Sequence, residues 1–169
     1  MHMQTEKVEV IDDDFNVLKV VPRSQAIKEN LKHRTALIIV KNSEGQMYIN
    51  QRKRTKKTFP LKWVAGAGGV ARAGETFEDA AKRELHEELG ITAPIKFLFD
   101  FDYESNINCY KAKVYLAIYD GKISLNKKEC EQGKWVSREE LKKYIEKNLL
   151  CPDTALFMQK FLDKFYKVK

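Results

Sequence analysis

Gly68-Gly69-Val70-Ala71-Arg72-Ala73-Gly74-Glu75, then Thr76-Phe77-Glu78-Asp79-Ala80-Ala81-Lys82, then Arg83-Glu84-Leu85-His86-Glu87-Glu88-Leu89-Gly90-Ile91, is the stretch on which the reading of this chain turns. Thr76 to Leu89 reads as its clearest helix. Thr76 suits the N-cap, with Asp79 three residues on in an approximate capping box. Gly90 stands where a helix-ending glycine belongs. Phe77, Ala80, Ala81, Leu85 and Leu89 form one apolar stripe. Glu84, Glu87 and Glu88 lie at i, i+3 and i+4. At about 100° per residue they share one helix face, which the sequence predicts to be exposed. Three like charges so placed repel, and a hard divalent cation relieves them because magnesium and calcium prefer carboxylate oxygens. The preceding glycines let backbone approach a metal or a phosphate closely.

Outward from this stretch, strands and helices alternate without a regular βαβ pattern. Val8–Ile11 and Val17–Val21 read as two short strands around an Asp-Asp-Asp-Phe-Asn turn, an N-terminal β-hairpin extension over about residues 6–22. A brief helix is expected from Ser24 to Leu31, and a buried strand from Thr35 to Val40. Asn42-Ser43-Glu44-Gly45 turns the chain into a second strand, Gln46 to Gln51. Arg52 to Thr58 is a basic loop. Trp63 to Ala65 is a short strand ending in a Gly-rich segment, Gly66-Ala67-Gly68-Gly69. Beyond the central helix, Ile95, Phe97, Phe99, Phe101 and Tyr103 alternate, and Val114, Leu116 and Ile118 continue the period in an antiparallel partner. Lys134-Trp135-Val136 reads as a short strand. Ser137 and Glu140 form a capping box for a helix to about Asn148. Pro152-Asp153 opens a last helix with Phe157, Phe161 and Phe165 at i, i+4 and i+8. This order predicts an α+β fold, a mixed sheet sandwiched between helices, and one domain over residues 1–169.

Composition sets the outer bounds. Apolar residues make up 43% and charged residues 33%, which excludes a disordered chain. The net charge of +7 favours anionic partners such as phosphates and leaves room for RNA. Cys109, Cys130 and Cys151 form no CxxC pair, which argues against a zinc site or a disulfide framework. No apolar run approaches the roughly 20 residues that span a bilayer. Met1 to Asp14 is too acidic for a signal peptide, so a cytoplasmic location is expected. Met1-His2-Met3 reads in part as a remnant of expression.

The offsets in the central stretch resemble the Nudix box, G-x5-E-x7-R-E-U-x-E-E-x-G-U, with U aliphatic. Gly69, Glu75, Arg83, Glu84, Leu85, Glu87, Glu88, Gly90 and Ile91 fill all nine fixed positions over 23 residues. The resemblance implies a hydrolase that uses Mg2+ or Mn2+ and water to split a diphosphate linkage in a nucleotide-like small molecule. It implies Glu84, Glu87 and Glu88 as metal ligands, with the Gly68 carbonyl as a further one. Arg83 would orient a carboxylate, with Glu75 its partner. In parts of the family a further acid lies shortly before a tryptophan, and Glu129, six residues before Trp135, suits that place, with Glu131 its competitor. Glu84, Glu87 and Glu129 are all open as the proton acceptor.

The N-terminal hairpin, Gln51-Arg52 and Phe59-Pro60 before Trp63 resemble the branch holding isopentenyl-diphosphate isomerases. That branch carries a Cys-Gly-His where this chain has Ala67-Gly68-Gly69, so the isomerase acid and one metal ligand are absent. His33 matches another isomerase metal ligand, although a packed or hydrogen-bonded histidine is the plainer reading. His86 reads as a solvated helix residue. Arg52, Arg54 and Lys62 are the candidate phosphate contacts in and beside the basic loop. Trp63 and Tyr48 read as core. The leading expectation is a hydrolase of nucleoside di- or triphosphates or their derivatives, as a monomer or homodimer. Behind it stand an RNA 5′-pyrophosphate or cap hydrolase and a non-catalytic nucleotide-binding domain.

Overall fold

The computed structural model describes residues 6–166, so the reading of Met1-His2-Met3 lies outside the described residues. Strands β1 (Lys7–Ile11) and β2 (Val17–Pro22) form the expected antiparallel hairpin, and the short helix α1 (Arg23–Lys28) follows directly. β3 (His33–Lys41) is the central strand. Its even residues Ala36, Ile38 and Val40 pack on one side, with Ala80, Ala81 and Leu85. Its odd residues Leu37 and Ile39 pack on the other, with Leu141, Phe157 and Phe161. This period-2 split puts one helix layer on each face of the sheet, the α/β/α sandwich that the element order implies.

β4 (Met47–Arg52) meets β3 only at Lys41↔Met47, then diverges to pair with β5 (Trp63–Ala65) and β9 (Cys130–Val136). β7 (Ile95–Glu104) and β8 (Cys109–Ile118) form the predicted antiparallel pair, and β8 runs parallel to β3 from His33↔Tyr110 to Lys41↔Ile118. β9 is longer than the three residues expected, because Cys130 to Lys134 continue the ladder along β4. Helices α3 (Arg138–Glu146) and α4 (Pro152–Phe165) cover one face, and Ser137 and Glu140 make both bonds of the capping box. Phe157 and Phe161 are buried, while Phe165, one turn further, is exposed.

The Gly-rich segment corrects the sequence reading. Ala67–Val70 is a strand, β6, paired antiparallel with β3 from Thr35↔Val70 to Ile38↔Ala67. Gly66, at φ +59, turns the chain from β5 into β6, and a Cβ there would sit 1.8 Å from the Ile38 carbonyl oxygen. The glycines serve close strand approach here rather than an open loop.

Candidate active site

Helix α2 (Phe77–Leu89) carries the candidate carboxylates and begins and ends as the sequence predicts. The Thr76 side chain accepts the Asp79 amide, and Gly90 closes the helix at φ 66. Ala80, Ala81, Leu85 and Leu89 bury the inner stripe. The three glutamates do not share one environment. Glu87 is exposed, Glu88 is half-buried and Glu84 is buried. The exposed face expected for all three is therefore wrong for Glu84 and Glu88, because β6 lies over them. Gly69 makes this possible. A Cβ at that position would lie 2.3 Å from Glu84 Oε1.

Arg83 holds the cluster together. Its Nε and one terminal nitrogen donate to the two Glu75 oxygens at 2.8 and 3.0 Å, a bidentate pair. The same terminal nitrogen donates to the Val70 carbonyl at 3.1 Å. The other reaches Glu84 at 2.5 Å and Glu87 at 3.3 Å. Glu75 also accepts the Arg72 amide, fixing the loop before the helix. Glu88 accepts the Gly68 amide at 3.1 Å. Burial pushes the Glu88 carboxyl up to about 8, the Glu84 and Glu129 charges push the same way, and the Gly68 bond opposes them. Glu84 is also raised, by burial first and by Glu87, against the pull of Arg83.

Glu129 arrives from the opposite side. The loop after β8 is tied to the end of α2, with the Ser124 and Asn126 amides donating to the Leu89 and Glu88 carbonyls at 2.9 Å. Asn126 then accepts the Glu129 and Cys130 amides. Glu129 thereby lines the same cleft as Glu88 and takes the Lys56 ammonium. Glu131 turns away to the Arg54 amide and Lys53.

The cleft has a volume of about 360 Å³, within the range of roughly 300–1,000 Å³ for small-molecule sites. Of the basic residues singled out from sequence, Arg52 lines it, its guanidinium donating to the Thr58 carbonyl. Arg54 and Lys62 are not among its lining residues. Arg54 is exposed, and the Lys62 ammonium is bound to the Asn148 carbonyl, because β5 runs beside Leu149 and Leu150. Lys56 and Arg23 are the cationic lining residues that the sequence reading did not select. Trp63 and Tyr48 are core, and His86 is exposed. Cys130 also lines the cleft, donating its thiol to Asn50 Oδ1, with burial pushing that thiol up to about 11.

Among the described residues no three carboxylate, imidazole or thiol groups form a closed ligand set. The donors still suit one kind of ion. Glu84 and Glu88 stand close on α2, and Glu129 adds a carboxylate to the wall of the cleft that Glu88 lines. Magnesium is held through one or two carboxylates and keeps the rest of its shell for water and substrate phosphate.

The family model of the NUDIX domain matches residues 31–162. The chain belongs to the Nudix family. It is 28% identical to the uncharacterized Nudix hydrolase PA4841 of Pseudomonas aeruginosa, over 94% of each chain. It is 30% identical to the uncharacterized Nudix hydrolase YfcD of Escherichia coli, over 81% of this chain and 77% of that one. Its fold matches the crystal structure of DR0079 from Deinococcus radiodurans with a TM-score of 0.81, at 24% identity over 96% of this chain and 100% of that one. The MutT protein of Methanosarcina mazei matches at a TM-score of 0.69 and 22% identity, over 80% and 96%. The protein is a hydrolase of acid-anhydride, diphosphate-type bonds, of a family that generally uses divalent metal ions. No helix among the described residues is long and apolar enough to cross a membrane.

Proposed function

We propose that the protein hydrolyses the diphosphate linkage of a nucleoside di- or triphosphate or a nucleotide derivative, with Mg2+ or Mn2+, by attack of water at phosphorus. The observation that carries this reading is Glu84, buried, and Glu88, half-buried on the same helix, with Glu88 at the wall of a cleft of nucleotide-compatible size. Glu84, Glu87 and Glu88 would hold the cation, with the Gly68 carbonyl as a further donor. When bound, that cation supplies positive charge against the diphosphate oxygens and makes a water more acidic. Arg83 keeps the carboxylates in register by clamping Glu75 and touching both Glu84 and Glu87. Glu129, facing Glu88 across the cleft, is the best-placed acceptor for the water's proton, because it lies outside the Arg83 clamp. Lys56 and Arg52 stand ready for the phosphates once substrate competes for them. Residues 6–166 act as one unit, since the N-terminal hairpin is bound to the loop before α2. Glu9 accepts the Gly74 amide, and Glu6 bridges Arg23 and Arg72.

The deciding experiment is a panel of nucleoside triphosphates, nucleotide sugars, dinucleoside polyphosphates and 5′-triphosphorylated RNA, incubated with Mg2+, Mn2+ or a chelator, with all phosphorylated products resolved by ion-exchange chromatography. Metal-dependent turnover of a small nucleotide is expected. Turnover of the RNA alone would move the assignment to RNA 5′ ends, and binding without turnover would make this a sensor domain.

A further inference from the structure

The cleft has a second end, away from the carboxylates, that the diphosphate chemistry does not use. His33 and Thr35 project from the first turn of pleat on β3, on the face opposite α2, and both line the cleft. Tyr110 stands beside His33 on the parallel strand β8, and Asp153 and Thr154 close the wall from the start of α4. Arg23 and Ile27 complete it from α1, outside the matched family region of residues 31–162.

Two features mark this end as built for a ligand. Thr35 is 5% exposed, and its Oγ1 has no hydrogen-bond partner among the described residues. A buried hydroxyl left so is rare in a folded chain. His33 is 4% exposed, and its Nδ1 lies 2.8 Å from the Leu31 carbonyl. That bond makes Nδ1 the donor and leaves Nε2 as an acceptor. Burial first, and the Arg23 charge after it, favour the neutral ring, against the Leu31 bond. The neighbours are acceptors too. Tyr110 spends its proton on Asp153 at 2.8 Å, so its oxygen keeps lone pairs, and Asp153 is a carboxylate. The arginines that line the cleft are already engaged, Arg23 with Glu6 at 2.8 Å and Arg52 with the Thr58 carbonyl. An acceptor-rich, partly unsatisfied wall selects a group that brings hydrogens.

We propose that Thr35 and His33 form a recognition subsite for the organic group beyond the scissile diphosphate, reading a hydroxyl or amine donor on it. The proposal rests on the hydrolase reading above. A sugar hydroxyl and an exocyclic base amine share this chemistry, and Thr35 is a specificity-determining position, not a catalytic one.

The test uses Thr35→Val, which keeps the shape and removes the hydroxyl, and Thr35→Ser, which restores it. Binding of non-hydrolysable α,β-methylene nucleoside triphosphates is measured by calorimetry beside inorganic tripolyphosphate. Thr35→Val should weaken nucleotide binding about fivefold, leave tripolyphosphate unchanged and leave the melting temperature equal or higher. Thr35→Ser should bind as wild type. Ribo and 2′-deoxyribo probes, and cytosine and uracil probes, separate the two donors, because sensitivity to Thr35→Val vanishes on the probe lacking the group that is read. Equal loss on nucleotide and tripolyphosphate, equal loss on every nucleotide probe, or no loss at all would overturn the proposal. So would a lower melting temperature, which would mean the hydroxyl serves the fold. If wild type hydrolyses nothing in the panel, the hydrolase reading falls with it; if it hydrolyses a nucleotide to which Thr35→Val is indifferent, only the subsite falls.

Discussion

The two ends of the cleft are built in opposite ways. The carboxylate end is built mainly from one continuous segment, Gly68 to Ile91, in which Arg83 bonds Glu75, Glu84 and Glu87, with Glu129 and Lys56 joining from elsewhere. The far end is assembled from α1, β3, β8 and α4, with His33 and Tyr110 brought together across 77 residues of chain by strand pairing, and its groups are mostly neutral acceptors. Reaction chemistry needs fixed offsets, which a helix supplies locally. Selection among substrates needs a shaped wall, which only the tertiary fold supplies. The contrast breaks if variants at the two ends behave alike.

The largest effect is expected at Glu88. Glu88→Gln removes a charge from a partly buried site where burial already disfavours it. It should lower kcat by more than tenfold, about 1.4 kcal/mol of barrier. Without metal the variant should melt no lower than wild type, since an amide keeps the shape and can still accept the Gly68 amide. Steady-state kinetics with a thermal melt check both halves. A variant retaining over a tenth of wild-type kcat would remove Glu88 from the proposed role.

A smaller effect should separate the two acids of the loop. Glu129→Gln is expected to reduce kcat about tenfold, whereas Glu131→Gln should stay within about twofold, because only Glu129 lines the cleft. A pH–rate profile adds a readout that a structural role would not move. If Glu129 accepts the proton, its variant changes the shape of the profile, whereas a merely structural role lowers it evenly at every pH. Equal effects of the two substitutions would return the proton acceptor to Glu84 or Glu87.

How much of this was legible in the sequence follows the same division. α2 with its Thr76 and Gly90 caps and the capping box of α3 follow from local offsets, whereas the Arg83–Glu75 pairing is what the family resemblance implies. Burial of Glu84 was not legible, since it depends on β6 lying over the helix and on Gly69 leaving room. The placement of Lys62 was missed because β5 lies against Leu149 and Leu150, which brings Lys62 to Asn148, 86 residues further on. Arg23 gave no signal at all: one arginine after a proline looks like surface until the hairpin folds it to the cleft wall. An alternation count on β3 places His33, Thr35, Leu37 and Ile39 on one face. It does not say that a cleft opens over His33, Thr35 and Leu37.

Metal should act on stability through the carboxylate end alone. A cation that binds only the folded chain adds about 2.7 kcal/mol at a hundredfold excess over Kd, which for a chain of this size is about 5–10 °C. Melts with saturating Mg2+ and with a chelator measure it. The shift should shrink in Glu88→Gln and survive in Thr35→Val. Loss of the shift in Thr35→Val would mean that the two ends are one site.

The last expectation is an absence of activity, and it concerns the isomerase-like resemblance outside the box. Converting isopentenyl to dimethylallyl diphosphate requires protonation of an unactivated carbon, hence a strong, positioned acid and a base on the opposite side. On that resemblance Ala67 and Gly69 would stand where the isomerase has its acid and histidine, and neither has a proton to give. The fold does bring one thiol to the cleft. Cys130 begins β9 beside Glu129 and lines the same cleft as Glu88. Burial pushes that thiol up to about 11, the charges of Glu88 and Glu129 add to this, and its hydrogen is directed at Asn50 Oδ1. A thiol so held is a poor acid whose proton is already engaged. No deuterium should therefore enter dimethylallyl diphosphate when the protein is incubated with isopentenyl diphosphate, Mg2+ and deuterated water, while the same sample hydrolyses its nucleotide substrate. Deuterium in the product, lost in Cys130→Ser, would show that the cleft carries a second chemistry and that Cys130 supplies its acid.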